Sequence, residues 1–306
     1  MTNSNKLVTV LTPTYNRKKE LYKLYQSLIN QTSNNFVWFV VDDGSNDNTK
    51  NVIEKMRIEN RIEIVYKRKE NGGKHKAINF GLKYINTDLT FIVDSDDILT
   101  EDAIENIEKI NNKYYRKKDV PLCGYSFLRQ FPNGNINGKM FPRNEEISDY
   151  VSMRINRNDV SDKAEVWFTD VLKGNPFDEF EEEKFLGEDI LWIRLAAKYK
   201  MVYINKAIYI GNYLSDGLTN NRRKNNIKSP KGCRARAKVF LDSKANLKIK
   251  IKATLQYNIY SLFAKEKVID KENNHKISCI MLFPISYIIY VIWKEKIKDE
   301  DSNDRS

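Results

Sequence analysis

The chain has 306 residues, 41% of them apolar, with 52 lysines and arginines against 41 acidic residues and a net charge of +11. This length and apolar content are enough for a buried core and exclude a disordered polyelectrolyte, while the positive excess favours anionic partners (phosphates, nucleic acid or an anionic membrane face) without choosing among them. Three scattered cysteines (Cys123, Cys233, Cys279) and only two histidines exclude a disulfide framework and a histidine-based zinc site.

Met1 to Lys6 is polar and shows no signal-peptide pattern, so the expected compartment is the cytoplasm. Four short runs rich in Val, Ile and Phe follow, at Leu7–Leu11, Phe36–Val41, Ile62–Tyr66 and Leu89–Val93. Such runs suit strands buried on both faces of a parallel sheet. Between them, Leu21, Leu24, Tyr25 and Leu28 share one face of a helix; Val52, Ile53 and Met56 form a second stripe, Ile78, Leu82 and Ile85 a third, and Ile104, Ile107 and Ile110 a fourth. The alternation predicts a doubly wound α/β sheet.

From about 120 to 175 the alternation fails, and Asn133-Gly134 and Asn137-Gly138, flanked by Phe131 and Met140–Phe141, predict a hairpin or a loop insertion. The spacing predicts a helix over 187–199, with Ile190, Ile193 and Ala197 on one side, then short strands at Met201–Ile204 and Ala207–Ile210. From Asn220 onward the pattern is basic and helical. Ile277–Trp293 is an apolar stretch interrupted by Pro284 and flanked by Lys276 and Lys294. At this length, with that proline, it reads as an interfacial helix on an anionic membrane surface or as a buried C-terminal helix, rather than as a membrane span.

In open α/β sheets ligands bind at the carboxyl ends of the strands, and four polar segments fall there. They are Thr12-Pro13-Thr14-Tyr15-Asn16-Arg17, Asp42-Asp43-Gly44-Ser45-Asn46-Asp47, Asn71-Gly72-Gly73-Lys74-His75-Lys76 and Asp94-Ser95-Asp96-Asp97. The first three have structural readings: Thr14, Asn16, Ser45 or Asp47 can cap helices, the glycines can serve a flexible loop, and His75 can be solvated or hydrogen-bonded. The fourth is different. Three carboxylates within four residues repel one another unless a cation or strong donors offset them. Asp94 and Asp96, alternating on an extended backbone, can both face one ion, and hard oxygen ligands of this kind select Mg²⁺ or Mn²⁺ together with phosphate oxygens. Together the segments describe a nucleotide-diphosphate site. Tyr15 can cover a base, Asp42 or Asp43 can accept from a uracil imide N–H, Lys74 can reach phosphate, and a metal at Asp94 and Asp96 would neutralise a leaving diphosphate. The absence of a glycine-rich phosphate loop disfavours kinases, ATPases and dehydrogenases.

The ordered motifs TPTYNR, VDDGSNDNT, NGGKHKAIN, VDSDD and GED resemble those of the inverting family-2 glycosyltransferases of the GT-A fold, across roughly residues 6 to 219. The resemblance implies a Rossmann-like, mostly parallel sheet flanked by helices in residues 1–219, with a nucleotide-binding half (1–100) and an acceptor half (101–219), followed by a basic helical segment at 220–306. It implies that Thr12, Pro13, Tyr15, Asp43 and Asn71 border the nucleoside, with Arg17, Asp42, Lys74 and Ser95 in the same donor site, and that Asp94 and Asp96 are the DxD pair holding Mn²⁺ or Mg²⁺. Where many relatives carry arginine this chain has Ile78, which assigns phosphate contact to Lys74 or Lys76.

An inverting transfer needs a base to take the acceptor's proton. Glu188-Asp189 stands at the place of the family's ED motif, with Asp189 the expected base and Glu188 the alternative; the structural reading is first-turn acids favoured by the helix dipole. Segments like FEEEKF (Phe180–Phe185) and NYLSDGLT (Asn212–Thr219) occur in relatives that build bacterial surface polysaccharides such as capsules, and Tyr213 and Asp216 are candidates to approach the diphosphate or acceptor. Trp167 and Trp192 are either sugar-stacking or core residues. The expected activity is transfer from a UDP-sugar to a glycan or lipid-linked acceptor, with no nucleic-acid partner and a peripheral contact with the inner face of the membrane. Two other readings are a nucleotidyltransferase, which would want a glycine-rich loop in place of Leu11–Arg17, and a non-catalytic basic binding module, which would have no use for the carboxylates.

Overall fold

A computed structural model of the protein describes residues 6–115, 119–159, 161–211, 222–271 and 273–303. The chain divides into two units, Met1–Phe177 with Leu195–Tyr213, and Asp178–Arg194 with Leu214–Ser306.

The first unit is built on a nine-stranded mixed sheet. Its parallel part consists of β1 (Val8–Thr14), β2 (Phe36–Asp42), β3 (Ile64–Arg68) and β4 (Leu89–Ile92) in the order β3-β2-β1-β4. Every residue of β1, β2 and β4 is buried, as expected of strands covered on both faces. The intervening helices are α1 (Lys18–Ile29), α2 (Thr49–Glu59) and α3 (Lys74–Leu82). Helix α1 buries Leu21, Leu24, Tyr25 and Leu28, the stripe expected from its spacing, and Tyr25 stacks at 6.0 Å on Trp38 of β2. Helix α3 packs against β1 and β2. Its Gly81 admits this, because a Cβ there would stand 2.8 Å from Leu11 and 3.0 Å from Val41.

Beyond β4 the sheet changes direction. After β5 (Ile98–Leu99) and α4 (Ala103–Tyr114) come β6 (Leu122–Gln130), β7 (Glu146–Ser148), a π-helical turn at Val151–Ile155, β8 (Lys163–Phe168) and α5 (Thr169–Gly174). Strand β8 lies antiparallel between β4 and β6. The two short strands expected at 201–210 are one, β9 (Lys200–Ile210), parallel to β6. Asn205 and Lys206 bulge from its ladder, and Asn205 instead exchanges hydrogen bonds of 2.8 and 2.9 Å with the backbone of Phe141. The two Asn-Gly pairs lie in a loop excursion off the end of β6, with Gly134 and Gly138 at positive φ and a bridge from Gln130 to Ile136. Beneath it the buried Lys163 ammonium donates to Asn137 O, Lys139 O and Ser161 Oγ at 2.8–3.2 Å. Trp167 and Trp192 are buried, as core residues.

In the second unit, α6 runs over Asp189–Leu195, shorter than the helix expected over 187–199 because the chain must be extended again by Lys200. The basic C-terminal segment forms α7 (Arg222–Lys228), α8 (Pro230–Asp242), α9 (Leu247–Phe263) and α10 (Lys276–Asn303). Helix α9 packs on α8 and α10, and its buried Asn258 donates to Cys279 O (2.9 Å) and Ser286 Oγ (3.2 Å) of α10. The apolar stretch of α10 spans the 21 residues Lys276–Lys296 at mean hydropathy 1.8, long and apolar enough to cross a membrane by length and composition. Only 11% of it is buried, so of the two expected readings, burial in the protein is not what the structure shows.

Gly124 of β6 sits at φ +152°, and a Cβ there would lie 2.0 Å from Val166 O of β8. The substitution Gly124→Ala is therefore expected to destabilise the fold by about 3 kcal/mol, as overpacking against a rigid backbone does. Urea denaturation checks this; a wild-type midpoint would mean that β6 and β8 separate freely.

Candidate functional site

The register of the parallel strands brings the polar segments together. Thr14 pairs with Asp42 and Asp42 with Arg68, so the loops after β1, β2 and β3 leave the sheet side by side, and the loop after β4 begins from the strand next to β1. Within the first segment Thr12 and Pro13 are buried, and the Thr12 hydroxyl accepts from Trp38 Nε1 at 3.0 Å inside the sheet. Tyr15 is 45% exposed and Arg17 half-buried. Asn16 takes a left-handed backbone at φ +53° and ties this loop to the next: its N–H donates to Ser45 Oγ (2.9 Å) and its side-chain oxygen accepts from Asn46 N (2.8 Å). Asp47 accepts from Thr49 Oγ1 (2.5 Å) and from Lys18 N at the start of α1 (3.1 Å); against its burial these hydrogen bonds hold its carboxyl below the usual range.

The two adjacent aspartates after β2 have different surroundings. Asp42 is buried and turned into its own loop, accepting from Ser45 N (2.7 Å) and Tyr66 OH (2.6 Å). Asp43 organises the neighbouring loop. Its carboxylate accepts from Lys69 Nζ (2.8 Å), Gly72 N (3.0 Å), Gly73 N (2.7 Å) and Asn71 Nδ2 (3.2 Å), while its backbone oxygen accepts from Asn71 Nδ2 at 2.9 Å. The loop approaches so closely that a Cβ on Gly44, at φ +87°, would meet Asn71 N at 2.9 Å. One carboxylate thus fixes Lys69 to Gly73 and, through them, the start of α3. His75 is buried at 2% exposure rather than solvated, and Ile78 is in the core.

The Asp94–Asp97 segment is a turn, which corrects the expected extended backbone: Asp97 N donates to Asp94 O at 3.2 Å and Ser95-Asp96 form its corner. The chain must reverse here to enter β5. The crowded charges are offset within the protein. Lys74 forms an ion pair with Asp94. Arg129 of β6 lies 3.5 Å from Asp97 and stacks 3.8 Å from the ring centroid of Tyr209, whose hydroxyl donates to Asp97 (2.8 Å) and accepts from Asp94 N (2.9 Å). Burial raises all three carboxyls, but Lys74 and Arg129 outweigh it at Asp94 and hold that carboxyl below its usual range. Burial and the charge of Asp94 raise Asp96, and the same two causes push Asp97 up to about 7. Among the described residues no group of three or more His, Cys, Asp and Glu is arranged to hold a metal ion. Asp94 and Asp96 remain a pair of hard oxygen donors, both partly exposed, which is the set that Mg²⁺ or Mn²⁺ shares with phosphate oxygens.

In the second unit, Glu188 and Asp189 stand at the start of α6, both half-buried. Both oxygens of Asp189 accept from Arg236 of α8, Oδ1 from Nε at 2.5 Å and Oδ2 from Nη2. Glu183, from the FEEEKF segment, accepts from Lys231 N (2.7 Å) and Gly232 N (2.8 Å) at the N-terminus of α8. Tyr213 and Asp216 lie outside the described residues. The sequence reading missed Lys69, Tyr66, Arg129, Tyr209 and Arg236. A charged residue closing an otherwise apolar strand was the available signal for Arg129; nothing local marks the others.

Residues 9–116 match the family model "Glycosyl transferase family 2". The chain is 36% identical over 106 residues to the poly(ribitol-phosphate) beta-N-acetylglucosaminyltransferase TarP of Staphylococcus aureus, covering 33% of this chain and 32% of that protein. It is 28% identical over 216 residues to the GalNAc(5)-diNAcBac-PP-undecaprenol beta-1,3-glucosyltransferase of Campylobacter jejuni, covering 66% and 63%. It spans about a third of the length of the curated relatives it matches first. Among solved structures it superposes on S. aureus TarS 1-349 in complex with UDP-GlcNAc with a TM-score of 0.62 at 19% identity, covering 90% of this chain and 78% of that one. The matched segment contains the loops after β1, β2, β3 and β4, so residues 9–116 carry the glycosyl transferase family 2 similarity, and the fold extending beyond them is similar to that of TarS.

Proposed function

We propose that the protein transfers a sugar from a UDP-sugar, with inversion and with the help of Mn²⁺ or Mg²⁺, to a hydroxyl of a glycan or lipid-linked acceptor in cell-surface polysaccharide synthesis. The observation that carries this reading is the gathering of the four family motifs at the carboxyl end of one parallel sheet, held by Asn16, Asp43 and Lys74. The names of the relatives support the substrate class: one acts on poly(ribitol phosphate), another on an undecaprenol-linked glycan, and TarS is seen with UDP-GlcNAc.

In this reading Tyr15 covers the uracil from its exposed position, and Asp43 borders the nucleoside with Thr12, Pro13 and Asn71, leaving Asp42 to shape the loop. Arg17, Ser95 and Lys74 complete the donor site. Asp94 and Asp96 would hold the divalent ion, which supplies positive charge to the leaving diphosphate. Lys74, which pairs with Asp94, would contact phosphate if Asp94 held the ion. Asp189 takes the proton from the acceptor hydroxyl as it attacks the anomeric carbon and the bond to the diphosphate breaks. Glu188 is the alternative base.

We place the protein at the inner face of the membrane as a peripheral partner, through α10. Ile280 and Ile288 are exposed on this helix among other apolar residues, with Tyr290, Trp293, Lys294 and Lys296 following toward its far end. In this reading residues 1–219 are the transferase domain and 220–306 its basic helical tail.

Three outcomes are expected. UDP should raise the melting temperature only with Mn²⁺ or Mg²⁺ present, and Asp94→Ala/Asp96→Ala should abolish that rise; an equal rise in chelator would remove the metal from the reading. Asp189→Asn should keep UDP-sugar binding while lowering transfer about 100-fold or more, and unchanged transfer would move the role to Glu188. In flotation assays with phosphatidylglycerol-containing vesicles, the protein should rise with the lipid, and Ile280→Glu/Ile288→Glu should leave it in the dense fraction while its circular dichroism is unchanged.

A further inference from the structure

Arg236 has no part in the functional reading above, yet its placement is specific. It projects from α8 and grips both oxygens of Asp189, Nε to Oδ1 at 2.5 Å and Nη2 to Oδ2, in the planar two-point geometry that only a guanidinium provides. The two side chains are 19% and 23% exposed, so the pair is largely withdrawn from water. Two further contacts hold the arginine in that plane. Its guanidinium lies 4.8 Å from the ring centroid of Phe240, one turn further along α8. Gly187 leaves the room it occupies: a Cβ there would meet Asp189 Oδ1 at 3.0 Å and Arg236 Cδ and Nε at 3.3 Å. The same stretch of chain is anchored to α8 at a second point, where Glu183 accepts from Lys231 N and Gly232 N. A stretch of chain anchored to one helix through both Glu183 and Asp189 leaves the Asp189 carboxylate little freedom of position.

We propose that Arg236 is a positioning residue that acts through Asp189, holding that carboxylate in one orientation and in its ionised form for proton transfer. The proposal rests on the reading of Asp189 as the base. The guanidinium occupies one lone pair on each oxygen and leaves the others to receive a proton. Its charge favours the ionised carboxylate, the form that a base must have before attack.

The test uses the full chain with a UDP-sugar that it hydrolyses in the presence of Mn²⁺, with water as the acceptor and UDP release as the signal. Arg236→Gln is expected to lower kcat about 100-fold, the cost of a misplaced catalytic group, with donor KM within about twofold of wild type. Arg236→Lys keeps the charge but loses the fork and should recover only part of that loss. Methylguanidinium added to Arg236→Ala should restore rate in a saturable manner. In the Asp189→Asn background, Arg236→Gln should cause no further loss, since the residue through which it acts is already disabled. Arg236→Gln turning over at the wild-type rate would overturn the proposal while leaving Asp189 as the base. A loss that merely tracks the unfolded fraction by circular dichroism, resists methylguanidinium and recurs in full in Asp189→Asn would also overturn it, in favour of a purely structural bridge. Wild-type hydrolysis by Asp189→Asn would instead remove the base assignment itself.

Discussion

Carboxylates crowded at the end of a buried sheet must be offset by positive charge, and the candidate site in the first unit is organised around how that is done. Two like charges about 4 Å apart near a protein surface repel by about 4 kcal/mol, a large share of the stability of a domain. The turn Asp94–Asp97 meets this constraint with Lys74 on one carboxylate and Arg129 with the Tyr209 hydroxyl on another. Asp96, with no cation of its own among these contacts, is raised by burial and by Asp94. The cluster is therefore unevenly compensated within itself, which is the property that the proposed exchange of a protein ion pair for a metal and a diphosphate would use.

The same economy of charge recurs in the loop after β2. Asp43 gathers three donors from one loop and the Lys69 ammonium, so a single carboxylate sets the path of the backbone into α3. Asp42, one residue earlier, faces the opposite way and serves Ser45 and Tyr66. Neighbouring side chains in extended backbone point to opposite sides, and here the two aspartates serve two different loops, Asp42 its own and Asp43 the one after β3. In the second unit, Asp178–Arg194 is tied to the C-terminal helices by Glu183 on the α8 amides and by Asp189 on Arg236. An acidic segment and a basic helix far apart in the chain are thereby made one compact body.

Much of this was legible in advance. The Val- and Ile-rich runs placed β1, β2 and β4, because a strand buried on both faces tolerates little else; the third run also forms a strand, β3, but at the edge of the sheet and largely uncovered, and the stripe of α1 matched the residues it buries. The motifs at the strand ends marked the candidate site, whose segments the parallel register brings side by side. What failed was local geometry that depends on distant partners. Asp94 to Asp97 read as extended and is a turn, since the chain must reverse into β5. The strands at 201–210 read as two and are one, because the intervening Asn205 and Lys206 are absorbed as a bulge held by Phe141. Arg129, Tyr209 and Arg236 were missed because each finds its carboxylate 32 or more residues away in sequence.

The amino-acid sequence by itself determined the α/β class, the parallel strands β1 to β4 and the family-2 similarity of residues 9–116, since these rest on periodicity and on short motifs whose residues act within a few positions of one another. Tertiary structure alone decided which loop each of Asp42 and Asp43 holds, which cations offset the acidic turn, that apolar residues of α10 are left exposed, and that Asp189 is held by Arg236. Ion pairing and burial depend on distances through space, and a linear order of residues does not contain them.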